Sequence, residues 1–271
     1  MGNLISFMKK VADGLRESGN YGTAHIYRSS MSAVVAFNES GNLPFRKVTP
    51  EFLKSFEAYL RGRNCSWNTV STYMRTLRAV YNRAVDRRIA PYVPHHFRYV
   101  YTGTRADKKR ALEKEDMERL MKDIPKQLHS GNRELQRARG FFILMFLLRV
   151  MPFVDLASPY LFSLISSKEG TEEAYKEYQL ALRNFNYQLM ILKQVLGLTT
   201  DLSSYTARHT WATMAYYCEI HPGVISEAMG HSSITVTETY LKPFKNKKID
   251  EANVMVFSSF RKSFSVGNYL N

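Results

Sequence analysis

Four side chains of this sequence are of types that could break a phosphodiester bond together. Tyr240 stands nine positions after His231, His231 stands 23 positions after Arg208, and Arg149 lies 59 positions before Arg208. A tyrosine hydroxyl is a competent nucleophile toward phosphorus and leaves a covalent phosphotyrosine. The transition state carries charge on equatorial oxygens. Arginine suits those oxygens because its planar fork donates bidentately and stays charged. A nearby histidine can donate to the same oxygens or carry a proton. Two arginines supply enough charge that no metal or other cofactor is required. Taken singly, each residue has an ordinary reading. Arg149 closes a very apolar helix and could be an ion-paired helix end, His231 could be a loop histidine, and Tyr240 is one of 17 tyrosines. Only their order and spacing select them.

The elements that must position these residues read as helices almost throughout. Apolar residues fall at helical period over Leu4–Ser18 and Thr23–Phe37. Thr49 and Pro50 form an N-cap and first-turn proline for a helix through Leu60. A longer helix over Trp67–Arg88 carries Val70, Tyr73, Leu77, Val80, Tyr81 and Ala84 as its apolar stripe, and Pro91 and Pro94 stop it. Residues 1–90 are thus expected to form a four-helix domain, residues 91–110 a basic linker, and residues 111–271 a second, mainly helical domain. In that second part helices are expected at Glu113–Met121, Arg133–Leu148, Leu180–Val195, Thr210–Glu219, Pro222–Met229 and Ile234–Leu241, with a short amphipathic helix near Ile249–Phe257. Strand signals are almost absent, so the fold class is mainly α.

Charge points to the partner. The 271 residues hold 38 Lys and Arg against 24 Asp and Glu, a formal charge of +14. Residues 1–110 carry 19 basic and 7 acidic side chains, while the remainder carries 19 and 17. Such asymmetry is the footprint of a polyanion partner for the first part, with a basic but inert surface as the alternative. On the long basic helix, Thr69, Thr72, Arg75 and Arg78 could face such a partner, and Arg105, Lys108, Lys109 and Arg110 make the linker basic as well. The alternative for that helix is a solvated face. Cys65 and Cys218 lie far apart with no metal-ligand spacing and fit a reducing compartment. The longest apolar run, Gly140–Leu148, is too short to span a bilayer, so no membrane partner is expected.

Two stretches, Ser204-Tyr205-Thr-Ala-Arg208-His209-Thr-Trp211 and Met229-Gly230-His231-Ser-Ser-Ile-Thr-Val-Thr-Glu-Thr-Tyr240, resemble the second and third signature boxes of the tyrosine recombinase (phage integrase) family. Phe146-Leu-Leu-Arg149-Val-Met-Pro-Phe-Val-Asp155 resembles the first arginine box, in wording similar to integrases and invertases of Bacteroides-like bacteria. Tyr21–Tyr27 and Ser66–Asn82 resemble the family's SAM-like core-binding domain. The resemblance implies a clamp of two domains on double-stranded DNA, faced by Thr69, Thr72, Arg75 and Arg78, with Arg105, Lys108, Lys109 and Arg110 crossing its backbone. It casts Tyr240 as nucleophile and Arg149, Arg208 and His231 as stabilisers of the phosphorane, with strand rejoining and no ATP. It further implies inverted-repeat DNA sites, a homotetramer on two such sites, and a cytoplasmic, nucleoid-associated protein. His209, beside Arg208, reads as a structural hydrogen-bonder rather than a catalyst.

Two features depart from the family pattern. Tyr205 stands where the second box usually has His or Lys; a phenol can bond a phosphate oxygen but is a poor base near neutral pH. The interval between the arginines is also short. Family members carry there a small antiparallel sheet whose hairpin lysine protonates the departing 5′ oxygen; here Asp155-Leu-Ala157 runs directly into Ser158–Ile165. Lys168, Lys176 and Lys193 lie in the interval without a recognisable hairpin. Helices that normally cover that sheet are expected to expose apolar surface. Two other function classes remain open on the sequence: a DNA-binding protein with a remnant site, and a type IB topoisomerase-like enzyme.

Overall fold

Local signals set the first four helices. The Asn3 side chain accepts from the Ser6 N–H and starts α1 (Leu4–Glu17). After α2 (Tyr21–Asn38), Thr49 caps α3 (Pro50–Gly62) by accepting from the Phe52 N–H, with Pro50 at its first position. Ser66 caps α4 (Trp67–Asp86) by accepting from the Thr69 N–H. Each cap satisfies a backbone donor that the helix leaves without a partner. The computed structural model describes residues 2–104, 110–122, 133–148, 151–158, 160–243 and 246–264. Its elements divide into two units, Met1–Asp107 with Leu164–Leu180, and Lys108–Ser163 with Ala181–Asn271.

The first unit is built on the apolar stripe of α4. Val70, Met74, Leu77, Val80 and Ala84 are buried at spacings of three and four, against Leu4 and Met8 of α1, Val34 of α2, and Leu53 and Phe56 of α3. Removing an aliphatic or aromatic side chain of this kind from water stabilises the fold by about 1.5–3 kcal/mol. Arg75 and Arg78 fall outside the stripe and are exposed.

Residues 91–101, expected to begin a linker, instead belong to this core. Phe97 and Val100 are buried in it, the Tyr81 hydroxyl donates to the Pro91 carbonyl at 3.0 Å, and the Tyr101 N–H donates to the buried Glu57 carboxylate at 2.6 Å. The aromatic content of His95-His-Phe-Arg-Tyr-Val-Tyr101 explains the packing, although the segment has no period.

Leu164–Leu180 also joins this unit from far along the chain. Glu172 pairs with Arg16 at 2.6 Å, and Tyr175 packs its ring 5.8 Å from that of Tyr21. Lys168 and Lys176 therefore sit with the first unit, Lys176 paired to Glu172 at 3.2 Å. The Glu177 carboxylate folds the segment by accepting from the N–H groups of Ser166 and Ser167 at 2.7 and 3.0 Å and from both hydroxyls. Those backbone and hydroxyl donors lower its pKa to about 2. Its contribution is complete above the ordinary carboxylate value near 4.5 and disappears as pH falls through about 2. Hydrogen exchange at the Ser166 and Ser167 amides is therefore expected to accelerate in that window; protection that holds constant down to pH 2 would count against the clasp.

The second unit contains α5 (Lys114–Met121), α6 (Arg133–Leu147), the short α7 (Phe153–Leu156), the later turns of α8 (Glu172–Leu196), α9 (Ser204–Tyr217), α10 (Pro222–Ala228), α11 (Ile234–Glu238) and α12 (Asn246–Phe264). Helix α8 begins eight residues earlier than its apolar period suggests, because the early turns are held by the polar contacts just described. Helix α9 begins six residues earlier than expected. The Asn186 side-chain Oδ1 accepts from the Ser204 N–H at 2.9 Å, and the Thr206 hydroxyl accepts from the Ser203 N–H at 3.0 Å, so side chains cap its start. Phe142, Met145, Leu156, Leu189 and Leu192 are buried, and the rings of Phe153 and Phe185 stack at 4.5 Å.

Among the described residues there is no strand, only an isolated bridge between Asn3 and Pro44. In the short interval after α6 and at its edge, Leu147, Leu148, Val154, Tyr160, Leu161 and Phe162 are exposed. Helix α12 is longer than the Ile249–Phe257 expected. Lys248 ties its start to Glu219 of the same unit at 2.7 Å, while Ile249, Val254 and Met255 remain exposed. Among the described residues no helix is long and apolar enough to cross a membrane, and no group of His, Cys, Asp and Glu could hold a metal.

Candidate active site

The site lies in the second unit, and α9 is its base. Tyr205, Arg208 and His209 occupy its first two turns, and Thr213 follows His209 by one turn. Helix α10 ends at Met229 and Gly230, the latter with φ of +65°, a conformation glycine adopts without strain. The turn is closed by the His231 N–H donating to the Ser226 carbonyl at 3.0 Å. This turn presents the Met229 carbonyl and the His231 ring side by side to α9.

Arg208 bridges the two. Its Nη2 donates to the Met229 carbonyl at 2.6 Å and lies 2.8 Å from His231 Nε2. A guanidinium can only donate, so Nε2 is the acceptor and the imidazole proton resides on Nδ1. That proton points to the Thr237 hydroxyl, 2.8 Å away. Burial, and then the neighbouring Arg208 cation, hold the His231 pKa below the ordinary histidine value. The neutral ring that this favours is the state the hydrogen bonds require.

Tyr240 follows α11 in a turn, its N–H donating to the Thr237 carbonyl at 2.9 Å. Its ring stacks on His209 at 4.4 Å, lies 5.0 Å from the His231 ring, and has the Arg208 guanidinium 5.7 Å from its centroid. The backbone is fixed as well: the Tyr240 carbonyl accepts from the Thr213 hydroxyl at 3.3 Å and lies 3.3 Å from His209 Nδ1. Ala212, Ile225, Met229 and Leu241 form the small apolar cluster beneath. Lys242, just beyond, is committed to Glu113 at 2.9 Å.

The structure thus brings Arg208, His231 and Tyr240 into one cluster. Tyr205 stands one turn before Arg208 on α9 with its side chain largely exposed. Arg149 lies outside the described residues, directly after α6, which packs against α9. Of the DNA-contact candidates, Arg75, Arg78 and Arg110 are exposed. The Thr72 hydroxyl donates to the Asn68 carbonyl at 2.8 Å, and the Thr69 hydroxyl pairs with Ser66 Oγ at 2.9 Å, so both bond locally within α4. Arg105, Lys108 and Lys109 lie outside the described residues. Lys193, one of the interval lysines, is paired with Asp201 at 2.5 Å.

Sequence reasoning missed two residues. Thr237 contacts His231, and Thr213 holds the Tyr240 backbone; both are almost completely buried. The available signal was weak: each is a polar residue falling on the inner face of a helix.

This arrangement can hold a phosphoryl group between a cationic fork and an imidazole, beside a phenol. Comparisons with known proteins agree. The model of the phage integrase SAM-like domain matches residues 3–99, and that of the phage integrase family matches residues 99–247. No curated protein matches the chain. Among solved structures, the Tn1549 transposon integrase in complex with a circular intermediate DNA is 14% identical with a TM-score of 0.62, covering 95% of this chain and all of that one. The XerH site-specific recombinase bound to a palindromic difH substrate, in a post-cleavage complex, is 15% identical with a TM-score of 0.58, covering 92% of this chain and 84% of that one. With both halves of the chain matched and the Arg208–His231–Tyr240 cluster in place, the chain belongs to the phage integrase family.

Proposed function

We propose that this chain is a tyrosine-type site-specific recombinase that cleaves and rejoins duplex DNA through a 3′-phosphotyrosyl intermediate on Tyr240. The observation that carries the reading is the meeting of Arg208, His231 and Tyr240, drawn from α9 and the turns after α10 and α11: Arg208 touches the His231 ring, and both lie close to the Tyr240 ring. Tyr240 gives up its phenolic proton and attacks the scissile phosphorus, the bond from phosphorus to the 5′ oxygen breaks, and that oxygen takes a proton from water to become a free 5′ hydroxyl. Arg208, His231 and Arg149 stabilise the phosphorane, and Tyr205 contributes a hydrogen bond to a phosphate oxygen. The released hydroxyl of one strand then attacks the phosphotyrosine of its partner, so bond energy is conserved. Arg75, Arg78, Arg105, Lys108, Lys109 and Arg110 contact DNA phosphates, which carry half or more of protein–DNA hydrogen bonds, and Thr69 and Thr72 face the same surface. Inverted-repeat sites and a tetramer on two duplexes complete the proposed assembly.

The test is a duplex nicked near the cleavage position, so that the released fragment diffuses away. Wild-type chain is expected to accumulate a covalent DNA adduct on a denaturing gel, and Tyr240→Phe to form none while shifting the same DNA on a native gel. Binding by both proteins without any adduct would leave the second reading, a DNA-binding protein with a remnant site. The short interval between the arginines and the absence of strands among the described residues favour that reading over an unrelated function.

A further inference from the structure

We infer that Thr237 is a positioning residue that orients His231 for the reaction; the inference rests on the proposed role of His231. The reasoning begins with what a threonine on a helix ordinarily does. Its hydroxyl bonds back to the carbonyl four residues earlier, and this chain shows the habit repeatedly: Thr72 donates to Asn68, Thr76 to Thr72, and Thr210 to Thr206, at 2.7–2.9 Å. Thr237, on α11, instead turns its hydroxyl to His231 Nδ1 at 2.8 Å, and it is completely buried.

The consequence is chemical. An imidazole with Nδ1–H fixed on an acceptor must present Nε2 as its active nitrogen. Nε2 is the nitrogen that Arg208 meets at 2.8 Å, and the Arg208 guanidinium lies 5.7 Å from the centre of the Tyr240 ring. In the DNA-free site, Nε2 accepts from Arg208. When a phosphate takes the guanidinium, Nε2 is released in place, able to accept a proton and then donate it to a phosphate oxygen. Throughout, Nδ1–H remains on Thr237, so the ring neither flips nor changes tautomer. The imidazolium needs two acceptors, and the Thr237 hydroxyl is one of them. A hydroxyl at this place therefore favours the charged ring at the moment it is needed, while burial and Arg208 suppress it in the resting site.

The test compares full-length wild type, Thr237→Val, which keeps the shape and removes the acceptor, and Thr237→Ser, which restores it. His231 is titrated by NMR in the DNA-free proteins, its resonance identified by its absence from His231→Gln. Thr237→Val is expected to titrate at lower pH than wild type, and Thr237→Ser to return toward it. On the nicked duplex at saturating concentration, Thr237→Val is expected to form adduct on the order of 10–10²-fold more slowly, part of the loss known for a catalytic histidine deprived of its orienting partner. The limb of its pH–rate profile that belongs to His231 should move to lower pH, and DNA binding should not change. Equal losses in the Val and Ser variants, or an unmoved His231 titration in Thr237→Val, would overturn the assignment. A wild-type chain that forms no adduct overturns the proposed function instead, and the titration then decides the role of Thr237 alone.

Discussion

Arg208→Ala is expected to lower the rate of Tyr240–DNA adduct formation on the order of 10³–10⁵-fold, the range lost when an arginine that stabilises a phosphoryl transition state is removed. Arg208 is the one described cation that touches both the His231 ring and the carbonyl end of α10 while lying over the Tyr240 ring. Its charge cannot be titrated away, and its fork can keep one donor on Met229 while others meet a phosphate oxygen. Arg208→Lys separates charge from geometry. A lysine ammonium could replace one contact, not the set, so the variant should recover little of the rate; removal of a single transition-state donor alone costs about 10²–10³. Specific DNA binding, which many phosphate contacts share, should fall much less than the rate. The measurement is single-turnover adduct formation with binding read separately. A Lys variant at wild-type rate would show that only charge matters here and would remove the basis for the proposed bidentate role. Thermal unfolding of both variants is needed beside it, because Arg208 also holds the Met229 carbonyl at the end of α10.

The parts of this fold that were legible in the sequence are those encoded by neighbours. Helices α1 to α4 carry their caps at Asn3, Thr49 and Ser66 and their core positions at helical spacing, and their observed ends fall close to those expected. What was not legible depends on distant partners. The turns of α8 before Leu180 read as polar chain, yet Arg16, 156 positions away, holds Glu172 there. The start of α9 is set by Asn186, 18 positions earlier. Residues 95–101 lack a period because they pack as individual aromatic side chains around Tyr81 and Trp67 rather than as a helix face.

The site divides in the same way. The resemblance of the boxes around Arg208, His231 and Tyr240 picked out three residues that the structure brings together, since motif order is a property of sequence. Their preparation was hidden: the lock of Arg208 on the α10 carbonyl, the His209 face against Tyr240, and the buried hydroxyls of Thr213 and Thr237 are all consequences of how α9 meets the following turns. His209 itself fits the structural role read for it, with its ring against Tyr240 and Nδ1 near the Tyr240 carbonyl.

The leaving group offers the sharpest account of what the short interval costs. In the family pattern a hairpin lysine protonates the departing 5′ oxygen, and here none of the three interval lysines stands in a hairpin. Lys193 is bound to Asp201, Lys176 to Glu172, and Lys168 stands with the first unit on an exposed turn. If none of them reaches the leaving atom, the 5′ oxygen departs without a general acid, a loss of roughly 10²–10⁴ in rate. A substrate with sulfur in place of the bridging 5′ oxygen does not need that proton, because a thiol is far more acidic, with a pKa of about 8.5 against about 15.7 for water as a hydroxyl reference. Adduct formation by the wild-type chain is therefore expected to rise by about the same 10²–10⁴-fold on the sulfur substrate. The gain should vanish in Tyr240→Phe and persist, scaled down, in Arg208→Lys, since neither arginine nor histidine in this site is assigned to the leaving atom. Equal rates on the oxygen and sulfur substrates would mean that a proton donor does reach the 5′ oxygen, and individual Lys168→Met, Lys176→Met and Lys193→Met variants, each tested for a new preference for sulfur, would then identify whether one of these lysines supplies it.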